Sequence, residues 1–292
     1  MASKTAKSAT ACQADSAADA PRKTWRGLFR LWRHRLNLAY HWGLRPHAAY
    51  QPLFVLATPR TGSTLLTDYL RRLRGVTCRG EVLNLALPIG LRRDELSSAK
   101  AIRHIRRSFQ AMRQPIRGCK LLLLQMQECG LTVDELDAAF PDAMYLILYR
   151  ESMAEQFISF QCARATGEWV LRRDQDRRQV RVEIDPEELE AFCDATRRDY
   201  EVLLANDWLR ERSILLSYEE LIADHGTCFV ERVCPFLGVP ASEPATRMLK
   251  QNVLPMADRV VNFAEVAETI AGPWCRQRHA WPAGVRPARQ AA

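Results

Sequence analysis

The sequence predicts a single α/β domain with a mainly parallel sheet of about four or five strands flanked by helices. Three observations point there. Short apolar runs recur at residues 53–57, 120–124, 144–149 and 213–216, each of a length suited to a buried parallel strand. Amphipathic helical stretches separate them. The first run ends in the turn Thr58-Pro59-Arg60-Thr61-Gly62 and leads straight into a helical pattern starting at Ser63.

Composition bounds the rest. The chain has 292 residues and 47% hydrophobic content, enough for a sizeable core. The net charge of +8 is not spread evenly. Residues 20–67 hold eight Lys/Arg and no acid, while the remainder balances. The 9 cysteines form no Cys-x-x-Cys and no cluster with the 6 histidines, so no metal ligand set is expected. Their scatter suggests reduced thiols and a cytoplasmic setting. No apolar run approaches the length of a membrane span, and no signal peptide is expected.

Residues 1–20 are rich in Ala, Ser and Thr and read as a disordered tail. Residues 22–42 carry Trp25, Leu28, Phe29, Trp32 and Leu36 at helical steps, with six Lys/Arg on the other faces. Such a basic helix either lies on an anionic membrane surface or docks on the domain. Residues 1–50 therefore form an arm, 51–275 the domain, and 276–292 a flexible C-terminal tail.

The strand–turn–helix junction is an anion-binding geometry. The first N–H groups of a helix lack intrahelical partners, and the helix dipole adds positive charge there. Gly62 lets an oxyanion approach the backbone. Thr61, Ser63 and Thr64 flank it with hydroxyls, and Arg60 brings a forked set of donors. A Walker A loop needs Lys after its second Gly; here Ser63 follows the lone Gly62, and the cation precedes it.

Downstream, Glu81 follows Gly80 in a short segment after the first helix. Residues 91–114 are helical in pattern, with Ile102, Ile105, Phe109 and Met112 on one face. Lys120 stands near the expected start of the second strand. A buried Lys is costly unless paired, so it reads as facing a site; the alternative is a strand-edge Lys reaching water. Thr132 and Glu135 have capping-box spacing. The strand at 144–149 ends in Arg150, placed to grip a phosphate in bidentate fashion. Ser159 lies nine residues on, about two and a half helical turns, and returns to the same side. Residues 171–181 read as a charged loop, a candidate lid that includes Asp174. Asp185-Pro186 opens a helix to about residue 206. The strand at 213–216 runs into Tyr218-Glu219-Glu220-Leu221, and residues 228–239 read as one helix.

In this order the segments resemble the sulfotransferases that use 3′-phosphoadenosine 5′-phosphosulfate (PAPS). Pro59-Arg60-Thr61-Gly62-Ser63-Thr64-Leu65-Leu66 resembles the 5′-phosphosulfate loop of the bacterial branch that includes trehalose and lipopolysaccharide sulfotransferases. Gly118-Cys119-Lys120, Ala163-Arg164-Ala165-Thr166-Gly167-Glu168-Trp169 and Asn262-Phe263-Ala264-Glu265-Val266 also look like family segments. The resemblance spans about residues 51–275 and implies the P-loop-like sulfotransferase fold. It implies PAPS as cosubstrate, bound by Arg60, Thr61, Gly62, Ser63 and Thr64 at the 5′ end. Arg150 and Ser159 would meet the 3′-phosphate, and Tyr218 the adenine. It implies Glu81 as general base, with Arg60 and Lys120 near the reacting centre. The spacing from Arg150 to Ser159 is nine where the superfamily commonly has eight. The expected acceptor is a hydroxyl of a carbohydrate or glycolipid, and the enzyme would be cytoplasmic or peripheral at the inner membrane face. No nucleic-acid partner is expected. Two alternatives stand beside this reading: a P-loop-type phosphotransferase, and a non-catalytic membrane-surface module that retains the fold.

Overall fold

The computed structural model describes residues 49–86, 91, 96–171, 178–249, 251 and 253–279. The expected tail and basic helix of the N-terminal arm, and residues 172–177 of the candidate lid with Asp174, lie outside the described residues.

Five strands form one sheet: β1 (Gln51–Ala57), β2 (Val76–Glu81), β3 (Ile116–Leu122), β4 (Met144–Tyr149) and β5 (Ser213–Ser217). Their order is β2-β3-β1-β4-β5, and every pairing is parallel. The helices are α1 (Ser63–Leu70), α2 (Ser98–Gln110), α3 (Leu123–Glu128), α4 (Val133–Ala139), α5 (Met153–Thr166) and α6 (Pro186–Leu204). There follow α7 (Asp207–Glu211), α8 (Tyr218–Ile222), α9 (Cys234–Leu237), α10 (Met256–Arg259) and α11 (Phe263–Ala271). The expected α/β architecture is therefore the observed one.

The central strand explains the layering. Leu53 to Ala57 of β1 are fully buried, because helices cover both faces of the sheet. Phe54 and Leu56 face a layer that includes Ile105 and Phe109 of α2 and Tyr200 of α6. Leu53, Val55 and Ala57 face Leu66 and Leu70 of α1 and Phe229 beyond α8. The Phe54 ring lies 5.5 Å from Phe109, 5.3 Å from Phe140 and 5.7 Å from Tyr145. Such pairs add about 0.5–1.5 kcal/mol each beyond burial. A third cluster joins α5 and α6 to the C-terminal segment through Phe157, Ile158, Val260 and Val266.

The topology fixes where a ligand can sit. From β1 the chain runs to β2 on one side, and from β3 it crosses to β4 on the other. A crevice opens at such a reversal, outside the carboxyl ends of the strands. The turn after β1 and Arg150 after β4 both lie there.

Several local expectations are met. Thr132 Oγ1 accepts from Glu135 N, and Glu135 Oε2 accepts from Thr132 N, completing the capping box. Asp185 caps α6 with Pro186 in its first turn. Others are corrected. β3 begins at Ile116, so Lys120 stands near its carboxyl end and is 4% exposed, which removes the strand-edge reading. Leu123 and Leu124 belong to α3, because an unbroken apolar run carries no period to separate strand from helix. The helix expected over 91–114 is shorter, α2, capped by Ser97. Residues 228–239 are not one α-helix: a π turn at Phe229–Val233 precedes α9, whose first turn holds Pro235. Proline has no N–H to continue an α ladder, and the register shifts ahead of it. The segment expected to be a loose tail starts docked: Gln277 N donates to Glu151 O, and Tyr149 OH to His279 O.

Gly118 of β3 pairs with Leu53 of β1, and a Cβ there would lie 2.9 Å from the Leu53 carbonyl oxygen. That contact is to backbone at the centre of the sheet and has no flexible neighbour to yield. Gly118→Ala should therefore cost about 1–3 kcal/mol in urea unfolding. A variant as stable as the parent would show that β1 and β3 separate freely there.

Candidate active site

The turn after β1 is held from two sides. Buried Gln156 of α5 donates through Nε2 to Thr58 Oγ1 at 2.8 Å and to Pro59 O at 2.6 Å. Tyr200 OH of α6 donates to Leu148 O at 2.7 Å and accepts from Thr58 N at 3.2 Å. Within the turn, Thr61 Oγ1 donates to Thr58 O, so the Thr61 hydroxyl is engaged locally and its side chain is fully buried. Arg60 has φ 66° and Gly62 φ 81°, both left-handed. For Arg60 this is an uncommon backbone state of the kind held by surrounding structure. A Cβ on Gly62 would come within 2.4 Å of the Tyr218 ring, so glycine is required for packing as well as for φ.

Gly62 then caps α1 without any side-chain acceptor, and the first intrahelical bond is Leu66 N to Gly62 O. The preceding N–H groups of the first turn, those of Ser63, Thr64 and Leu65, are the ones a helix end offers to an anion. Ser63 is buried, and Thr64 Oγ1 accepts from Lys120 Nζ at 3.0 Å.

Arg60 extends along α5. Its Nε donates to Ser159 Oγ at 3.0 Å, one Nη to Trp169 O at 2.7 Å, and the other to Gln251 Oε1. All three acceptors are neutral. Burial first, and the charge of Arg150 second, pull the Arg60 guanidinium down to about 10. Arg150 lies over the Tyr218 ring at 4.8 Å and donates to Arg60 O at 3.4 Å. Glu155 stands 3.4 Å from Arg150 and 2.6 Å from the buried Arg259 of α10. Glu219 is 3.9 Å from Arg150 Nε, which is buried without a hydrogen-bond partner. Burial pulls the Arg150 guanidinium below its ordinary range, and Glu155 counters it. Burial likewise pushes the Tyr218 phenol up. Three guanidinium groups thus face two carboxylates.

Glu81 ends β2. The pairing with β3 shifts register between Arg79 and Glu81, which sets Glu81 opposite Lys120. Irregularities of this kind re-aim a side chain. Lys120 Nζ lies 2.8 Å from Glu81 Oε1. Glu81 Oε2 accepts from Asn84 Nδ2 at 2.5 Å and Gln125 Nε2 at 2.9 Å. Burial alone would raise the Glu81 carboxyl; the Lys120 charge and the three donors outweigh it and hold the carboxyl below its ordinary range.

The expected residues thus fall in two groups. Arg60, Arg150, Ser159 and Tyr218 meet on the β4 side. Glu81, Lys120 and Thr64 meet on the β3 side, with the first turn of α1 between them. Among the described residues the Arg60 side chain contacts Ser159, Trp169 and Gln251, and no contact joins it to Glu81. Gln156, Tyr200, Glu155, Arg259, Gln251 and Gln277 escaped sequence reasoning; Gln277 Nε2 donates to Arg150 O at 2.9 Å. None of them carries a sequence signal; Gln156 is a fully buried amide on the helix that bears Ser159.

An open parallel sheet with a cationic crevice at its strand ends is a build shared by nucleotide-handling α/β proteins. Sequence comparison narrows the class. Residues 103–243 match the Sulfotransferase family. Nodulation protein H of Rhizobium meliloti (strain 1021) is 29% identical over 237 residues, covering 77% of this chain and 94% of the relative. Nodulation protein H of Rhizobium tropici is 26% identical over 229 residues, covering 76% and 90%. Among solved structures, the sulfotransferase from Alicyclobacillus acidocaldarius gives a TM-score of 0.44 at 15% identity, covering 70% of this chain and 88% of that one. The sulfotransferase domain of the Synechococcus PCC 7002 olefin synthase gives 0.45 at 18% identity, covering 83% and 93%. The match over residues 103–243 and the similarity to these relatives support a sulfotransferase superfamily member and sulfuryl transfer in general.

The Glu81–Lys120 pair makes a stability prediction. Because the folded-state Glu81 carboxyl is depressed below 4.5, its contribution is full above that value and fades as pH falls through the folded value. Lys120→Met leaves the carboxylate half-buried without its cation and should cost about 3 kcal/mol at pH 7. The deficit should shrink as the pH is lowered and the variant's Glu81 takes up a proton. Urea titrations at pH 7 and pH 4 test this; a deficit equal at both would contradict the pairing.

Proposed function

We propose that the protein transfers the sulfuryl group of PAPS to a hydroxyl of a carbohydrate or glycolipid acceptor. The observation that carries this reading is the excess of half-buried to buried guanidinium charge beside the α1 N-terminus, set apart from a carboxylate–lysine pair. Two anion sites suit a donor with phosphate at both ends of its nucleoside. The chain's groups fit such a donor: Arg150 Nε is buried and unpartnered, and the acceptors of Arg60 are neutral. In this reading Arg150 and Ser159 hold the 3′-phosphate, and Tyr218 lies by the adenine. The α1 amides, with Thr61, Gly62, Ser63 and Thr64, hold the 5′ end.

When bound, the donor supplies an activated sulfuryl group on a phosphate leaving group. The acceptor oxygen forms a bond to sulfur, and the bond from sulfur to the phosphate oxygen breaks, its electron pair leaving with the phosphate. Glu81 takes the proton released by the hydroxyl. Lys120, between Glu81 and Thr64, stabilises charge at the reacting centre, and Arg60 adds to the field. Such transfer relies on positioning and electrostatics. The resemblance of residues 59–66 to the bacterial branch favours a sugar hydroxyl. The basic stretch 22–42 suits a lipid-linked acceptor at an anionic membrane face.

Thermal shift separates this reading from a phosphotransferase. 3′,5′-Adenosine diphosphate at 100 times its Kd should add about 2.7 kcal/mol, while ATP with Mg²⁺ should add little. Equal or greater stabilisation by ATP would overturn the donor assignment. Glu81→Gln keeps the shape and removes basicity. It should lower kcat by roughly 10²–10⁴-fold with nucleotide affinity nearly unchanged. Near-normal turnover would show that another group takes the proton.

A further inference from the structure

The two oxygens of Glu81 are not equivalent. A carboxylate offers about four lone-pair positions, two on each oxygen. Oε2 accepts from two amide nitrogens, Asn84 Nδ2 at 2.5 Å and Gln125 Nε2 at 2.9 Å. Among the described residues, Oε1 has one donor, Lys120 Nζ at 2.8 Å. Oε2 is therefore filled, and one lone pair remains on Oε1.

We propose that Asn84 and Gln125 are positioning residues for Glu81, which saturate Oε2 and leave Oε1, beside Lys120, as the atom that takes the acceptor hydroxyl's proton. This rests on the reading of Glu81 as the base. Three segments converge to make the arrangement: the end of β2 with Glu81, the turn after it with Asn84, and the first turn of α3 with Gln125. Both amides are fixed in sense. The Asn84 Oδ1 accepts from Ala86 N at 2.9 Å, which turns its nitrogen to the carboxylate. Gln125 is buried, and its Oε1 has no partner. An orphaned buried carbonyl is unfavourable, so the Glu81 contact dictates the orientation of this amide. A side chain kept only for packing would have no reason to carry that orphan.

The charged group facing Glu81 is Lys120 of β3. Thr64 of α1 shares that ammonium, and Arg71 after α1 donates to Cys78 O, three residues before Glu81 on β2. No other charged side chain contacts Glu81 among the described residues. Removing an amide donor therefore withdraws stabilisation from the ionised form and leaves the Lys120 pair in place.

The test is the pH profile of kcat for Gln125→Met, Asn84→Ala and Gln125→Glu, with calorimetric affinity for 3′,5′-adenosine diphosphate alongside. For each of the first two, the acidic limb should move up by about one pH unit, the equivalent of one hydrogen bond to a charged group. Gln125→Glu sets a second carboxylate beside Glu81 and should move the limb further. Nucleotide affinity should stay within about twofold of the parent. A structural role would lower turnover by the same factor at every pH, and an unmoved limb overturns the proposal. Should Asn84→Ala fail to fold, the two Gln125 variants read the same limb. Glu81→Gln separates the two levels. If it turns over normally, the base assignment fails. If it is inactive while the limb of the amide variants stays put, the base stands and the positioning role is wrong.

Discussion

Among the described residues three guanidinium groups, the buried Arg259 and the half-buried Arg60 and Arg150, meet where β1 and β4 end, and two carboxylates face them. Charge of one sign is expensive to bury, and Arg150 Nε has no hydrogen-bond partner, with Glu219 3.9 Å away. The fold bears this cost through its best-packed part. Leu53 to Ala57 of β1 are fully buried between two helical layers, and the turn after them is tied by Gln156 and Tyr200 to α5 and α6. The turn after β1, the end of β4 and α10 set the backbones of Arg60, Arg150 and Arg259. In the proposed reading an anionic donor is the partner that this arrangement accepts.

Preorganisation continues on the acceptor side with different chemistry. There the charges cancel, since Lys120 and Glu81 form a pair and neutral amides fill the second carboxylate oxygen. In the proposed reaction Glu81, held by donors, is a weak base but a well-aimed one. The first turn of α1 joins the two halves, with Thr64 contacting Lys120 on one side and Gly62 packed under Tyr218 on the other.

Much of this was legible in sequence because strands and turns are local. Residues 144–149 read as a strand from their apolar run, and the strand has those bounds. The turn at 58–62 announced itself through its one glycine and the helix behind it. The position of Lys120 was misread, because a run of leucines has no period to show where a strand ends and α3 begins. The clamps were not legible at all. Gln156, Arg259 and Gln277 meet their partners across about a hundred residues, as in Gln277 to Arg150, and nothing in a lone Gln or Arg signals such a contact. The left-handed Arg60 was hidden for a related reason: its conformation is imposed by the turn, not by its own propensity.

The central claim is that Arg150 serves a phosphate on the ribose side of the donor, distinct from the α1 site. A calorimetric cycle of two ligands and two proteins addresses it directly. 3′,5′-Adenosine diphosphate and 5′-adenosine monophosphate differ only in the 3′-phosphate, and Arg150→Met removes the group assigned to it. The account predicts that the parent binds the diphosphate roughly ten- to a hundredfold more tightly, as a charge-assisted contact of about 1.5–3 kcal/mol implies, and that Arg150→Met loses most of that preference. An Arg150→Met protein that still discriminates between the two ligands as the parent does would contradict it.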